Sequence, residues 1–545
     1  MTTTFSASNN LKTLFLTFIT LISGLTFTAC DDNNASEKSV QFNKTLQAVG
    51  GRDYITSAKS ISFFSQGTSF EQHERPEPVN DQVSVFSFQL DSSIDIEKIR
   101  QAWRITTSYP FISELSFTDI INNDQGEVMG GPNSFASALF GFPNDPMFPS
   151  KLATRKKTLL MSSPLALLRQ IIEQGEIFSG AADHNFNIQY KGLSINLKTD
   201  STTHLPVSAS TVETDPLYGR VEYKVEFNDW KNISTGAGLY PEKIRHILNG
   251  KLLRTEALSN IAINNQTDES LFTVTTNTAI VDKSRETVGL QSSQFFMRML
   301  AMAVPLEVST ASRLQSFFLD ESQSVLVMSD GLYHSYAFKT GNSVVLYDAP
   351  QDDERSLEML RLISLAYPGL PVSDVLLSHN HFDHAGGFRG AISSGAQLHV
   401  GRGSVDFINT LLSKNNNSPA QGTTNVSGID ISRTFGSGNE TITAYMVQSI
   451  HSENDDMLII YKPDIKTLFF ADLYNAGFTQ IQQATTGSGT DLIIKQRAQS
   501  LVNIVNELNL DVQFIAPTHG GITTELNGGF PADILYQSVL DAASF

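Results

Sequence analysis

Apolar and polar residues alternate in short runs over much of residues 43–290, and clusters of Gly, Pro, Asn and Asp separate the runs. A period of two puts successive side chains on opposite faces, so such runs predict strands with one buried face. Residues 60–70, 82–90, 186–190, 193–197 and 220–227 are strands on this pattern. One helix interrupts them. Ser163 is placed to cap it and Pro164 to take its first turn, with Leu165, Leu167, Leu168, Ile171 and Ile172 as the apolar face. A short helical start is expected before Ala48-Val49-Gly50-Gly51, and residues 239–244 read as a turn into the next element.

The pattern changes near residue 310, where strands, helix, strand, loop and helix follow one another as in α/β domains. Residues 352–367 predict a helix with Leu357, Leu360, Ile363 and Leu365 near one side. Residues 374–377 predict a buried strand, and 492–508 a helix that feeds a strand at 512–516. Between the two textures, 295–304 (FFMRMLAMAV) reads as an interdomain packing helix whose Met and Phe residues fill core. Two polar stretches, 413–428 and 480–490, predict surface loops of the kind that also shape access to a cleft. The expected division is a β-rich domain over 43–290, a linker helix over 291–309 and an α/β domain over 310–545.

The leading residues are of another kind. Residues 14–29 (LFLTFITLISGLTFTA) are apolar, with Lys12 upstream and no acid before Asp31. The run is too short and too weakly flanked for a spanning helix, and it fits the core of a signal peptide over 1–29. Its end, Phe27-Thr28-Ala29-Cys30, resembles the bacterial lipobox. That resemblance implies cleavage before Cys30, lipidation of its thiol, and a lipid-anchored lipoprotein of the cell envelope facing the periplasm or exterior. Residues 30–42 are polar and read as a tether between lipid and folded domain.

Cys30 is also the only cysteine, so the chain has no intrachain disulfide and no Cys-rich zinc module. Any metal site must use His and carboxylate. The 545 residues carry 38 Lys and Arg against 56 Asp and Glu, a net charge of −18. So acidic a chain has no global field for gripping phosphate backbones, which argues against a nucleic-acid partner.

Of 11 histidines, seven fall between His334 and His519. The predicted strand at 374–377 runs into Ser378-His379-Asn380-His381-Phe382-Asp383-His384-Ala385-Gly386-Gly387. Packing alone has little use for four metal-ligand side chains so close together after a buried strand. Alternation lets His379 and His381 face one ion, while Asp383 and His384 turn toward a second position. The paired glycines allow a tight departure into the next helix. His73, His184, His204 and His246 are scattered and read as surface or structural residues. His399 reads as structural, and His334 as structural or as a substrate contact.

His-x-His-x-Asp-His resembles the signature of the metallo-β-lactamase superfamily, and further landmarks follow in that family's order. Asp348 ends the apolar strand 344–347, where the superfamily often carries an Asp behind its ligands. His451 opens His-Ser-Glu-Asn-Asp-Asp, Asp472 ends Leu-Phe-Phe-Ala-Asp, and His519 lies in Ala-Pro-Thr-His-Gly-Gly. The resemblance over 310–545 implies an α/β fold, an αββα sandwich. The preceding domain is similar to the β-rich N-terminal domains of some secreted zinc hydrolases and to the half-barrel of periplasmic lipoprotein carriers. Two Zn2+ ions are implied, with iron or manganese as alternatives. Carried over by position, His379, His381 and His451 hold the first ion, Asp383, His384 and His519 the second, and Asp472 bridges both.

A hydroxide between the ions would then attack a carbonyl, with Asp383 as the catalytic residue that orients it. The acid at Asp472 makes the site similar to glyoxalase II and phosphodiesterase members more than to true β-lactamases. Yet the 26 residues after His519 are too few for the glutathione-binding domain of glyoxalase II. The expectation is a zinc-dependent hydrolase of a small-molecule ester, thioester, lactone or amide. Two other classes stay open: a diiron redox enzyme of the same fold, and a non-catalytic envelope lipoprotein that binds lipid or a partner beside a vestigial metal site.

Overall fold

The computed structural model describes residues 32–70, 84–95, 98–107, 113–130, 144–147, 149–175, 184–233, 238–264, 268–275, 286–292, 314–330, 333–413, 426–448, 456–474, 489–518 and 536–544. Period-two alternation in the first half builds one twelve-stranded antiparallel sheet. Its first strands are β1 (Ser60–Phe70), β2 (Ser84–Asp95), β3 (Lys98–Thr107), β4 (Ser113–Asn122), β5 (Gln125–Gly130) and β6 (Asn144–Pro146). The others are β7 (Asn185–Tyr190), β8 (Leu193–Thr199), β9 (Pro206–Asp215), β10 (Gly219–Asn232), β11 (Leu239–Leu248) and β12 (Lys251–Ile263). The order β6-β5-β4-β3-β2-β1-β12-β11-β10-β9-β8-β7 is two meanders joined at a seam where β1 pairs with β12.

Inward positions carry the apolar residues. Ile195 and Leu197 of β8 are buried with Val221, Tyr223, Val225 and Phe227 of β10, one cluster with the helices below. The first of these is α1 (Asp32–Val49), followed by α2 (Pro149–Ser162) and α3 (Pro164–Glu173). α2 sets Leu152 against Phe86, Phe88, Leu90 and Trp103. α3 begins where its sequence says it should: the Ser163 hydroxyl accepts from the Ala166 amide at 3.3 Å, and Leu165, Leu167, Leu168 and Ile171 turn inward.

The second half is a sandwich. One sheet orders β13 (Gln315–Phe318), β14 (Val325–Ser329), β15 (His334–Lys339), β16 (Val344–Tyr347), β17 (Val372–Leu376), β18 (Gln397–Gly401) and β19 (Val426–Ile429). The other orders β20 (Ser432–Phe435), β21 (Ile442–Gln448), β22 (Asp456–Lys462), β23 (Thr467–Phe470) and β24 (Phe514–Pro517). Both faces of each sheet are covered, so the strands read as unbroken apolar runs. Val325, Val327, Leu458 and Ile460 point between the sheets. Leu326 and Met328 point outward to Met359 and Ile363 of α4 (Asp353–Ala366). Met457 and Ile459 point the opposite way, to Leu501 and Val505 of α7 (Gly489–Glu507). The layers are therefore helix, sheet, sheet, helix. The first sheet's connections also carry short helical segments, among them α5 (Phe382–Ala385) and α6 (Val405–Ser413).

One continuous cluster of buried apolar side chains runs from Phe42 in α1 to Leu411 in α6, across both domains. Arg389 clasps the junction. Its guanidinium donates to the carbonyls of Pro216 and Leu217 in the first domain, at 3.1 Å, and of Leu411 in the second, at 2.8 Å. Burial lowers its pKa to about 10, with Asp353 and Asp215 pulling the other way, so it keeps its charge at neutral pH.

Several expectations need correction. The polar stretch over 30–42 is not a loose tether from Asp32 onward, because α1 occupies it and seats Phe42, Leu46 and Val49 in the core. Residues 239–244 lie in strand β11 rather than a turn; Pro241 is accommodated there opposite Trp230 of β10. In α4 the buried stripe is Arg355, Ser356, Met359 and Ile363, and Leu357 and Leu365 are exposed at 42% and 65%. The four-residue spacing of 355, 359 and 363 marks the inner face, and an arginine stands at its head. The stretch 295–304, the leader over 1–29 and Cys30 lie outside the described residues.

Arg389→Ala strips three carbonyls, those of Leu217 and Leu411 buried, of this donor. Unfolding in urea is expected to show a loss of about 2–4 kcal/mol, and an unchanged midpoint would remove Arg389 as the clasp.

Candidate metal centre

β16 and β17 run parallel, as do β23 and β24, and the chain leaving each of these strands emerges along one rim of the sandwich. Asp348 follows β16, Ser378 to His384 follow β17, Asp472 follows β23 and Thr518 follows β24. The Leu458 amide of β22 donates to the Ser378 carbonyl at 2.8 Å, and the His334 amide to the Thr518 carbonyl at 2.9 Å. The two sheets are thus stitched together at the rim that carries the polar residues.

Five of the seven expected ligands converge there. The ligand atoms of His379, His381 and Asp472 lie within 4.8 Å of one another, and so do those of Asp383, His384 and Asp472. Asp472 is common to both groups. Its Oδ2 stands 3.4 Å from His379 Nε2 and 3.3 Å from His384 Nε2, and Asp383 Oδ2 is 3.8 Å from the same His384 nitrogen. Two ligand atoms on one tetrahedral zinc, each about 2.0 Å from it, stand roughly 3.3 Å apart. The donor set and its spacing fit zinc. His451 and His519 lie outside the described residues, although Thr518, the neighbour of His519, is in place beside His384 at 3.4 Å.

The orientation of the rings has a source. His384 Nδ1 lies 2.9 Å from Asp348 Oδ2, which fixes the tautomer that turns Nε2 toward Asp472. Asp348 also accepts from the Ser378 amide at 2.6 Å and from the Ser378 hydroxyl at 2.9 Å. That hydroxyl lies 3.1 Å from His379 Nδ1, so Asp348 orients His379 through Ser378. Asp348 and Asp472 both adopt left-handed backbone, at φ 61° and 46°. Asp tolerates this region better than most residues, and the turn it makes aims both carboxylates back over the strand ends. The glycines of the motif serve close approach rather than a positive φ. A Cβ on Gly386 would meet the Gln351 carbonyl at 2.2 Å, and one on Gly387 the Asp352 carbonyl at 2.4 Å.

The electrostatics call for cations. Burial opposes charge on His384, but the carboxylates of Asp472 and Asp383 and the hydrogen bond to Asp348 outweigh it and raise its pKa well above the ordinary range. Burial, with Asp383, Asp330 and Asp472, likewise pushes the Tyr333 phenol well up. A pocket that holds protons this firmly offers the same field to a dication.

Other histidines stand elsewhere. His334 is buried with Nδ1 2.9 Å from Ser329 Oγ, and His399 Nε2 is 2.7 Å from Asp374 Oδ1. His246 lies inside the first domain between Tyr223 Oη, at 2.7 Å, and Glu256, at 3.2 Å. His184 and His204 stack on each other at 5.7 Å, and His73 is outside the described residues. Sequence reasoning did not single out Ser378 or Arg355. The first stands directly before the motif, which was its only signal. The second pairs with Asp330 and donates to the Tyr333 carbonyl at 3.1 Å, holding the loop before β15; its position on the apolar stripe of α4 was the clue.

The family model described as the Metallo-beta-lactamase superfamily matches residues 329–519. A metallo-beta-lactamase from Pontibacter korlensis is 19% identical, covering 42% of this chain and 97% of its own, with a TM-score of 0.31. One from Hirschia baltica is 16% identical, covering 42% and 96%, with a TM-score of 0.30. The structure of TMB-1 is 12% identical over 42% and 95%, with a TM-score of 0.29. No curated protein matches. Over residues 329–519, the C-terminal domain is thus similar to the metallo-beta-lactamase superfamily.

Proposed function

We propose that this chain is a zinc-dependent hydrolase of the cell envelope that cleaves an ester, thioester, lactone or amide in a small molecule. The observation that carries it is the pair of donor groups, His379–His381–Asp472 and Asp383–His384–Asp472, sharing one carboxylate. These residues would hold dications, with Asp472 shared between the two groups. By the resemblance in sequence, His451 and His519 would complete the two sets. Zinc bound there supplies a Lewis acid and a water acidified to a pKa of about 7.

The chain's own residues do the rest. Asp348 and Ser378 hold the His379 and His384 rings in fixed tautomers. Asp383, in the first turn of α5 and only partly buried, accepts a hydrogen bond from the attacking water and fixes its approach to the carbonyl. The leader over 1–29 and the lipobox-like Phe27-Thr28-Ala29-Cys30 support delivery to the envelope and anchoring through Cys30.

Metal analysis of the purified chain should find near two zinc per molecule, with turnover of chromogenic esters or lactones abolished by chelation. His381→Ala should leave about one zinc and no turnover above background. Two iron with oxygen consumption would replace this proposal by the redox class, and metal-free protein by the binding class. Asp348→Asn should keep the fold by circular dichroism while costing about 10–100-fold in zinc affinity or rate. Cells fed a labelled fatty acid should label the wild-type chain and not Cys30→Ser; label on both, or on neither, removes the anchor.

A further inference from the structure

The hydrogen bonds of Asp348 tie the ends of β16 and β17 together within the first sheet. A separate chain of side-chain bonds reaches the ligand segment from the second sheet. It starts where β21 ends and β22 begins: Gln448 Nε2 donates to Asp456 Oδ1 at 3.0 Å, and the two residues face each other across the strands. Asp456 Oδ2 accepts from the Gly403 amide at 2.5 Å. Gly403 lies in the tight turn Arg402–Ser404, which leads from β18 into α6. Ser404 presents its hydroxyl to Asn380, whose Nδ2 donates to it at 2.8 Å. Asn380 stands between His379 and His381 in the chain.

The links leave little play. A Cβ on Gly401 would stand 2.3 Å from Asp456 Cβ, and one on Gly403 2.8 Å from Asp456 Oδ2, so the turn lies directly on β22. Asn380 and Ser404 are both buried. Asn380 Oδ1 has no hydrogen-bond partner among the described residues, which leaves Ser404 as this side chain's one polar anchor there. A buried carboxamide held at one point stays with that point, because bulk water cannot compete for it. The backbone on either side of Asn380 carries the His379 and His381 rings, 4.5 Å apart at 67°.

Asp383 and His384 have ties of their own. The Gln351 amide donates to the Phe382 carbonyl and the Ala349 amide to the His384 carbonyl, each at 2.9 Å, and Asp348 holds the His384 ring. The two donor groups that share Asp472 are thus braced from different directions.

We propose that Asn380 is a positioning residue for the metal position of His379, His381 and Asp472, anchored to the second sheet through Ser404 and Asp456. The proposal rests on the reading of these residues as zinc ligands. It goes beyond that reading in making the two positions separable by substitutions that touch no ligand.

Zinc affinities of the full chain, measured by competition with a chromogenic chelator, test this without turnover. Asn380→Ala should weaken one of the two ions at least tenfold and leave the other within about twofold of wild type. Ser404→Ala should do the same, and the double variant should be no weaker than Asn380→Ala alone, as two partners in one bond require. Added to His381→Ala, Ser404→Ala should weaken the remaining ion no further. A bond with a merely structural role would lower the urea midpoint and leave both affinities unchanged. If Asn380→Ala does not fold, the Ser404→Ala variants decide. Unchanged affinities, equal weakening of both ions, or further weakening of the ion that His381→Ala leaves overturns the proposal and spares the two-zinc reading. A wild-type chain that does not bind two zinc ions overturns that reading and the proposal with it.

Discussion

Asp348 is a carboxyl group at 0% exposure that accepts three hydrogen bonds, from the Ser378 amide, the Ser378 hydroxyl and His384 Nδ1. Burying a carboxylate is expensive unless its oxygens are answered, so these donors have little freedom to leave it. Because β16 and β17 are parallel neighbours, the same bonds tie the end of one strand to the start of the ligand segment on the next. His379 is reached through Ser378 and His384 directly, so two of the converging rings take their direction from one buried group. The sandwich supplies the rigid rim, and Asp348 converts that rigidity into ring orientation.

Where the chain announced itself, it did so through chemistry that packing cannot explain. His379, His381, Asp383 and His384 stood out because four ligand side chains have little structural use after an apolar strand, and the structure brings all four toward Asp472. Asp348 and Asp472 were readable only as polar ends of apolar runs; their left-handed backbone and their shared direction belong to the tertiary structure. The cap at Ser163 was legible because capping is local. Errors arose where a distant partner decided the outcome. The polar stretch after Cys30 becomes helix because Phe42, Leu46 and Val49 find a core elsewhere. Leu357 and Leu365 looked like core by type, while Arg355 takes the inner position because Asp330 waits there. A twelve-stranded order cannot be read from alternation, which gives strands without their neighbours.

The two domains handle charge differently. In the C-terminal domain the buried carboxylates gather around one rim and create a field that attracts dications. In the N-terminal domain α2 brings cations inward: Lys157 reaches Glu213 at 2.6 Å with both side chains fully buried, and Arg155 follows Asp119. Such pairs contribute little net stability against an apolar replacement, yet they punish misregister, because each displaced charge would be left buried alone. α2 can therefore seat on the sheet in one register only. Arg389 then joins this domain to the residues just beyond the ligand segment, so a displacement of the Pro216–Leu217 turn is felt five residues from His384.

The seam between β1 and β12 also bears on how the chain reaches its folded state. Arg254 Nε meets Ser69 Oγ at 3.2 Å across 185 residues of sequence. The strands beside the seam are hairpin partners formed early from local contacts, whereas the seam must wait for its loop to close. A chain synthesised in order exposes two half-sheets, each with a raw edge, until β12 arrives. For that interval the edges of β1 and β12 are open to any extended segment nearby. The domain's hazard is thus one of timing, confined to a single pair of strands and ended by their union.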